Sequence, residues 1–224
     1  MNKIFFFIPF IITICACTKI DCPIPVYTPS TYTTTLQPGV EGKDAVIDSI
    51  APTTNLGNTT YLAIEAWTQN KQTNFRAQRS LLDFDYSSIP SGAIINKATL
   101  TLYADTTFNY SGGVVPDGHS TLSGSNSWGI YQITSPWNEQ TVTWNLQPAT
   151  GTMPAISLPA STSASQAYVI DVTSLVASEI ANPNSYYGFY MKLDNEQYYR
   201  SVYFYSSDDS HTSLHPKLVI EYTK

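Results

Sequence analysis

The stretch "RSLLDFDYSSIPSGAIINKATLTLY", Arg79 to Tyr103, carries two apolar alternations around a segment rich in Ser, Pro and Gly. An alternation of period two places successive side chains on opposite faces of a strand. In 79–85 it sets Leu82 and Phe84 on a core face and Arg79, Leu81, Asp83 and Asp85 opposite. Similar short runs recur outward from it: "DAVIDSI" (44–50), "YLAIEAWT" (61–68), "GIYQITS" (129–135), "TVTWNL" (141–146), "AYVIDV" (167–172), "YYGFYMKL" (186–193), "SVYFYS" (201–206) and "PKLVIEY" (216–222). Many short strands between turn signals specify an all-β sandwich or barrel. One segment, "DVTSLVASEIANP" (171–183), reads as a short helix that starts at Asp171 or Thr173 and stops at Asn182-Pro183.

The chain has 224 residues, a length that a single β-sandwich domain can use in full. Hydrophobic residues make up 42% and charged residues only 12%, enough apolar material for a core and the balance of a β-rich extracellular protein. The formal net charge of -6, with no basic run, excludes nucleic acid as a partner.

The N-terminus "MNKIFFFIPFIITICA" (1–16) has a lysine, a short apolar run and small residues before Cys17, the pattern of a secretory signal peptide. "ICAC" (14–17) resembles the lipobox of bacterial lipoproteins, which implies cleavage before Cys17 and lipidation of its thiol. The expected location is therefore the outer membrane or cell surface, held by lipid rather than by a spanning helix. Residues 17–34, rich in Pro, Thr and Ser, read as a tether, with a first edge strand over part of Val26–Tyr32 as the alternative, and 35–224 as the folded domain. All three cysteines fall within the first 22 residues, so no disulfide is expected in the domain.

Parity also nominates a binding face. With Leu62, Ile64 and Ala66 in the core, Tyr61, Glu65 and Trp67 point the other way; Tyr190 and Lys192 lie opposite Phe189 and Met191, and Tyr203 opposite Val202 and Phe204. Aromatic rings pack on the apolar faces of sugars, and cations pair with carboxylates. Trp67, Arg79, Tyr190, Lys192, Arg200 and Tyr203 are the expected carbohydrate contacts. Arg79 has a rival role as an ion-pair partner of Asp83 or Asp85. Tyrosines that merely suit strands and cover one another are the plainer account of the same pattern.

Catalytic signals are weak. His119, His211 and His215 form no close-spaced metal pair, and "SSDDSHTSLHP" (206–216) gathers acids and histidines in a loop without a triad's geometry. Glu65, Asp83, Asp85 and Glu139 are carboxylates with no fixed separation. No cofactor is required. A structural calcium, if one is held, would draw on Asp44, Asp208 and Asp209, with Glu41 as a further candidate. In "SPWNEQTVTWNLQP" (135–148) the two tryptophans do not face each other across Glu139; Trp144 is expected in the core, Trp137 as a lid, and Glu139 accepting backbone N–H groups in a turn.

Several blocks in order, "LQPGVEGKDAVI" (36–47), "TNLG" (54–57), the 79–103 stretch, "WNEQTVTWNLQP" (137–148), "YVIDVTSLV" (168–176), "VYFYSSDD" (202–209) and "PKLVIEY" (216–222), resemble the DNRLRE, or disaggregatase-related, domains of secreted microbial proteins. The resemblance implies a jelly-roll β-sandwich of two antiparallel sheets that binds polysaccharide without cleaving it, similar to alginate-type carbohydrate-binding modules. Such modules often accompany polysaccharide-degrading enzymes, whereas no catalytic module is expected in this sequence. A uronate polymer would need a local basic cleft in an acidic body, built from residues such as Lys71, Arg76, Arg79, Lys192 and Arg200. The alternative expectations are a structural or adhesive surface that binds other envelope proteins and, third, a glycan-degrading enzyme.

Overall fold

The computed structural model describes residues 29–39, 41–69, 74–107 and 118–224. The signal sequence, Cys17, most of the expected tether and Lys71 lie outside the described residues. The strands are β1 (Thr31–Leu36), β2 (Lys43–Asp48), β3 (Tyr61–Gln69), β4 (Asn74–Asp83), β5 (Ile94–Leu102), β6 (Trp128–Gln132), β7 (Ile156–Leu158), β8 (Tyr168–Asp171), β9 (Phe189–Leu193), β10 (Arg200–Tyr205) and β11 (Lys217–Thr223), with helix α1 (Thr173–Ala181) between β8 and β9. They form two antiparallel sheets. One has the order β1-β11-β5-β8; the other has seven strands in the order β10-β3-β4-β9-β6-β7, with β2 also paired to β4.

The core lies between the sheets. Ala98, Leu100 and Leu102 of β5, Ile170 of β8, and Leu218 and Ile220 of β11 meet Leu62 and Ile64 of β3, Leu82 of β4, Trp128 and Ile130 of β6, Phe189 and Met191 of β9, and Val202 and Phe204 of β10. Leu175 and Val176 of α1 close one end. Complete burial of side chains of this size contributes roughly 1.5–3 kcal/mol each before chain entropy is counted. The parity read from the sequence assigns the core members of β3, β4, β9 and β10 correctly.

Two local readings are corrected. Residues 31–34 are not tether: Thr31 pairs with Thr223 and Thr34 with Ile220, so this Thr-rich run is an edge strand. The 141–146 run is not a strand either. Thr143 Oγ1 accepts the Leu146 amide at 3.2 Å, and Trp144–Leu146 is a 3₁₀ turn that leaves Trp144 half-buried. Helix α1 is present as expected, but its N-cap is Val172 rather than Asp171 or Thr173; Asp171, one residue before it, accepts the Thr173 amide at 3.0 Å and its hydroxyl at 2.6 Å.

The seven-stranded sheet curls sharply at β4. β3 pairs with its first half, Glu65 opposite Gln78, and β9 with its second, Met191 opposite Ser80. β2 runs along 78–83, with Asp48 opposite Gln78 and Val46 opposite Ser80. The curl brings the face of β3 and β10 that carries Ala63 and Tyr203 onto Val46 of β2, and Ser80 Oγ donates to the Ala63 carbonyl at 2.8 Å. The second face of β3 is thus interior, not solvated. Its polar contents are held by Arg76, which donates from Nε to Asp48 Oδ2 at 2.9 Å and pairs through Nη2 at 2.6 Å, with Glu65 at a looser 3.7 Å.

Candidate carbohydrate-binding face

Register alone divides the six expected contact residues. Tyr190 sits opposite Leu81, which puts Tyr190, Lys192 and Arg79 on one face of the β4-β9 ladder. Trp67 sits opposite Arg76, on the other face. The expectation that these residues share one face is thus corrected, because parity cannot anticipate a sheet that folds back on itself.

The buried members are engaged by protein. Trp67 is 8% exposed and meets the Tyr199 ring edge-on at 5.1 Å. Tyr203 is 4% exposed, inside the curl, with Tyr61 edge-on at 6.4 Å. Arg200, 8% exposed, donates from Nη2 to the Ser123 carbonyl at 2.8 Å and so closes the 119–124 loop over β10. As placed, none of the three presents a free ring or charge to a ligand.

Arg79, Tyr190 and Lys192 are the residues the fold brings together, on the outer face of the seven-stranded sheet, where Tyr190 is itself only 3% exposed in a second buried cluster with Leu81, Tyr131 and Val142. The Arg79 fork grips Glu196, Nε to Oε1 at 2.7 Å and Nη2 to Oε2 at 2.8 Å. Asp83 and Asp85, its expected partners, are elsewhere: Asp83 binds Lys43 at 2.8 Å, and Asp85 accepts from Ser87. Arg79 Nη1 donates to the Tyr190 hydroxyl at 2.9 Å, which donates in turn to Gln147 Oε1 at 2.6 Å. The Arg79 guanidinium also lies 4.5 Å from the centroid of Trp144. Burial alone would discourage its charge; the Glu196 carboxylate and the Tyr190 hydroxyl outweigh that and keep it cationic. Two residues along β9, Lys192 Nζ stands 4.6 Å over the Tyr131 ring and makes no ion pair among the described residues.

The segment 135–148 lays its side chains on this face. Trp137 Nε1 donates to the Tyr187 carbonyl at 2.8 Å under the Lys43 ammonium, and Val142 packs with Leu81, Tyr131 and Tyr190. Trp144, Gln147, Tyr131 and Glu196 are thus neighbours of Arg79, Tyr190 and Lys192 on the candidate face that reading by residue type did not nominate. The signal was present in the W-x₆-W block, but its strand assignment sent Trp144 to the core. Beside Trp137, the residues Pro136, Thr141, Val142 and Leu146 line a shallow hollow of ≈ 350 Å³, with Leu146 70% exposed.

A second aromatic group lies at the far end of β3 and β4. Exposed Phe75 and Tyr198 meet edge-on at 5.2 Å, and Tyr199, at φ 65, packs on Trp67. A left-handed backbone is costly for a tyrosine and is held here by that packing. A cleft of ≈ 760 Å³ between the ends of β1 and β4 is lined by Gln37, Glu41, Lys43, Asp83 and Asp85, with no exposed ring.

Of the expected metal ligands, Asp44 and Asp208 converge and Asp209 does not. Asp209 accepts the amide and the ring Nδ1 of His211, both at 2.7 Å. Glu139 takes the third place, its Oε1 accepting the Asp44 amide at 2.9 Å. Glu41 is turned to the Gly39 amide at 3.0 Å. Burial, with the Asp208 and Glu139 carboxylates adding to it, pushes the Asp44 carboxyl up to about 7. The carboxylates Glu65, Asp83, Asp85 and Glu139 serve separate contacts, and His215 is fixed between the Pro38 and Asp209 carbonyls.

The pattern is that of a sandwich whose outer face carries the half-buried rings of Trp137 and Trp144 and the Lys192 cation over the buried Tyr131 and Tyr190. No curated protein matches the chain. Carbohydrate-binding module family 96 matches over residues 34–222, and the chain belongs to that family.

Proposed function

We propose that this protein binds polysaccharide non-catalytically through the outer face around Lys192, Tyr131, Trp144 and Arg79, and that it favours uronate-containing chains. The observation that carries the reading is the Lys192 ammonium over Tyr131, a cation on a ring beside the Trp144 and Gln147 groups, with no carboxylate paired to it among the described residues. Such a lysine is available to a uronate carboxylate, while half-buried Trp144 and Trp137, rather than the buried Tyr131 and Tyr190, are the rings left to take the apolar faces of the sugar. Family membership supports carbohydrate as the ligand class, and modules of this kind are typically non-catalytic. The signal sequence and the lipobox-like "ICAC" support delivery to the bacterial envelope on a lipidated Cys17.

The test is affinity electrophoresis through gels cast with alginate, polygalacturonate, xylan or laminarin. Retardation by the polyuronates, reduced about tenfold in apparent affinity by Lys192→Ala and by Trp144→Ala, is expected. Absence of retardation in every gel overturns binding; equal retardation by laminarin overturns the uronate preference. Release of reducing sugar from any of these polymers overturns the non-catalytic reading.

A second reading, docking to envelope proteins, draws on Phe75 and Tyr198, which expose 40% and 46% of their surface beside each other. Phe75→Ser and Tyr198→Ser would abolish such docking and leave polysaccharide retention intact.

A further inference from the structure

We infer that Asp44, Glu139 and Asp208 form a calcium site that ties the 137–148 segment to β2 and to the turn after β10. The three residues are distant in sequence, yet each offers an oxygen within 4.8 Å of the other two. Backbone donors orient two of them. Asp44 Oδ2 accepts the Ser207 amide at 2.8 Å, and Glu139 Oε1 accepts the Asp44 amide. The Glu139 carbonyl is held in turn by Asn55 Nδ2 at 2.6 Å.

What these bonds leave over points to a ligand. Asp44 is fully buried, and among the described residues its Oδ1 has no partner; the buried Asp208 Oδ2 has none among them either. Three carboxylates gathered around such oxygens repel one another unless a cation or protons intervene. The nearby Lys43 ammonium is occupied by Asp83 at 2.8 Å. A structure that fixes carboxylates with backbone N–H groups and leaves their remaining lone pairs facing one another is built to hold a positive charge between them.

The donor set selects the ion. All three donors are hard oxygens, and no imidazole or thiolate belongs to the group, which disfavours zinc. Calcium bonds of about 2.3–2.6 Å let one ion bridge oxygens up to roughly 5 Å apart in irregular geometry. Magnesium demands a tighter octahedron and keeps its waters. The ion would fix the turn that precedes Trp144 and Gln147, so its effect reaches the outer face without touching it.

The experiment uses the purified full chain, stripped with EGTA and followed by thermal unfolding and calorimetric titration with calcium chloride. One calcium per chain and a rise in the unfolding midpoint of about 5 °C or more at millimolar calcium are expected, with magnesium giving less than half the shift. Asp208→Asn and Glu139→Gln are expected to lose the shift, while Asp209→Asn, outside the cluster, keeps it. No shift in the wild-type chain beyond that of matched potassium chloride overturns the site, as does a full shift in Asp208→Asn. Where a variant unfolds before heating, equilibrium dialysis against radioactive calcium of the wild-type chain decides: stoichiometric uptake supports the site and none overturns it.

Discussion

The Arg79 guanidinium and the Glu196 carboxylate meet fork to fork, at 2.7 and 2.8 Å, and so pin the 194–199 loop to the middle of β4. The pair is about four-fifths buried, which spares it the screening that makes most surface pairs worth little. Glu196→Gln keeps the shape and loses the charge. It is expected to cost roughly 1–2 kcal/mol in urea unfolding and to strengthen polyuronate retention at low salt, because Arg79 is then uncovered. Weaker retention would show that Glu196 itself contacts the sugar. Arg79→Lys should not restore stability, since an ammonium supplies neither the fork nor the stacked plane against Trp144.

The packing at Gly57 makes a steric prediction. A Cβ built there would overlap the Glu139 carbonyl and lie 2.8 Å from Glu139 Cγ. Backbone cannot yield as a flexible side chain does, so Gly57→Ala should destabilise by about 1–3 kcal/mol. It should also displace Glu139 from Asp44, with loss of the calcium shift as a separate readout. An unchanged unfolding midpoint would contradict this packing.

Most of the sandwich was legible in the sequence because its inner faces obey period two: Leu62 and Ile64, Phe189 and Met191, Val202 and Phe204 all fall where alternation puts them. The other faces were not. Glu65, Trp67 and Tyr203 alternate as if solvated, but the curl at β4 turns them onto β2 and the loops, and a curl depends on which strand shares β4 rather than on any local pattern. Trp144 was misplaced for the converse reason, since "TVTWNL" has strand-like composition while Thr143 caps a 3₁₀ turn. Arg79, Tyr190 and Lys192 could be grouped by parity on one ladder. Their true neighbours Glu196 and Gln147 come from loops whose approach no spacing encodes. The meeting of Asp44, Glu139 and Asp208 is likewise a product of tertiary structure.

Glu65 gives the stability an alkaline limit. It is fully buried, neither of its carboxyl oxygens has a hydrogen-bond partner among the described residues, and burial pushes it up to about 8 against the weaker pull of Arg76. The short bonds of Arg76 go to Asp48, so the 3.7 Å contact does not repay desolvation of a second anion. An acid whose folded pKa is raised stabilises fully below its unfolded value near 4.5, and the contribution is lost as pH rises through about 8. Glu65→Gln should therefore flatten the fall in stability between pH 5 and 8, with a gain of roughly 2–4 kcal/mol at pH 8. Chemical denaturation at those two pH values measures it. A variant as pH-sensitive as the parent would place the ionisation elsewhere.

His119 sets the acid limit through one hydrogen bond. Its Nδ1 accepts the Tyr203 amide at 3.0 Å, which requires that nitrogen to be unprotonated, while Nε2 donates to the Gln166 carbonyl at 2.8 Å. The ring is buried between Tyr168 and Phe204, and burial lowers its pKa to about 4 against the pull of the Gln166 carbonyl. An unfolded histidine takes up its proton near 6.5, so the unfolded chain binds more protons than the folded one between pH 6.5 and 4. Stability is complete above pH 6.5 and falls toward pH 4, by up to roughly 3 kcal/mol from this group. Buried acids such as Glu65 act in the opposite sense over the same range, so the measurement must be a difference. His119→Asn keeps an acceptor for the Tyr203 amide and removes the titration. The stability of the wild-type chain minus that of His119→Asn, taken from urea midpoints at pH 7.5, 5.5 and 4.5, should decline at each step. A difference that stays flat across those three values would mean the imidazole protonates inside the fold without disturbing β10, and the hydrogen bond to Tyr203 would then not be the one that fails in acid.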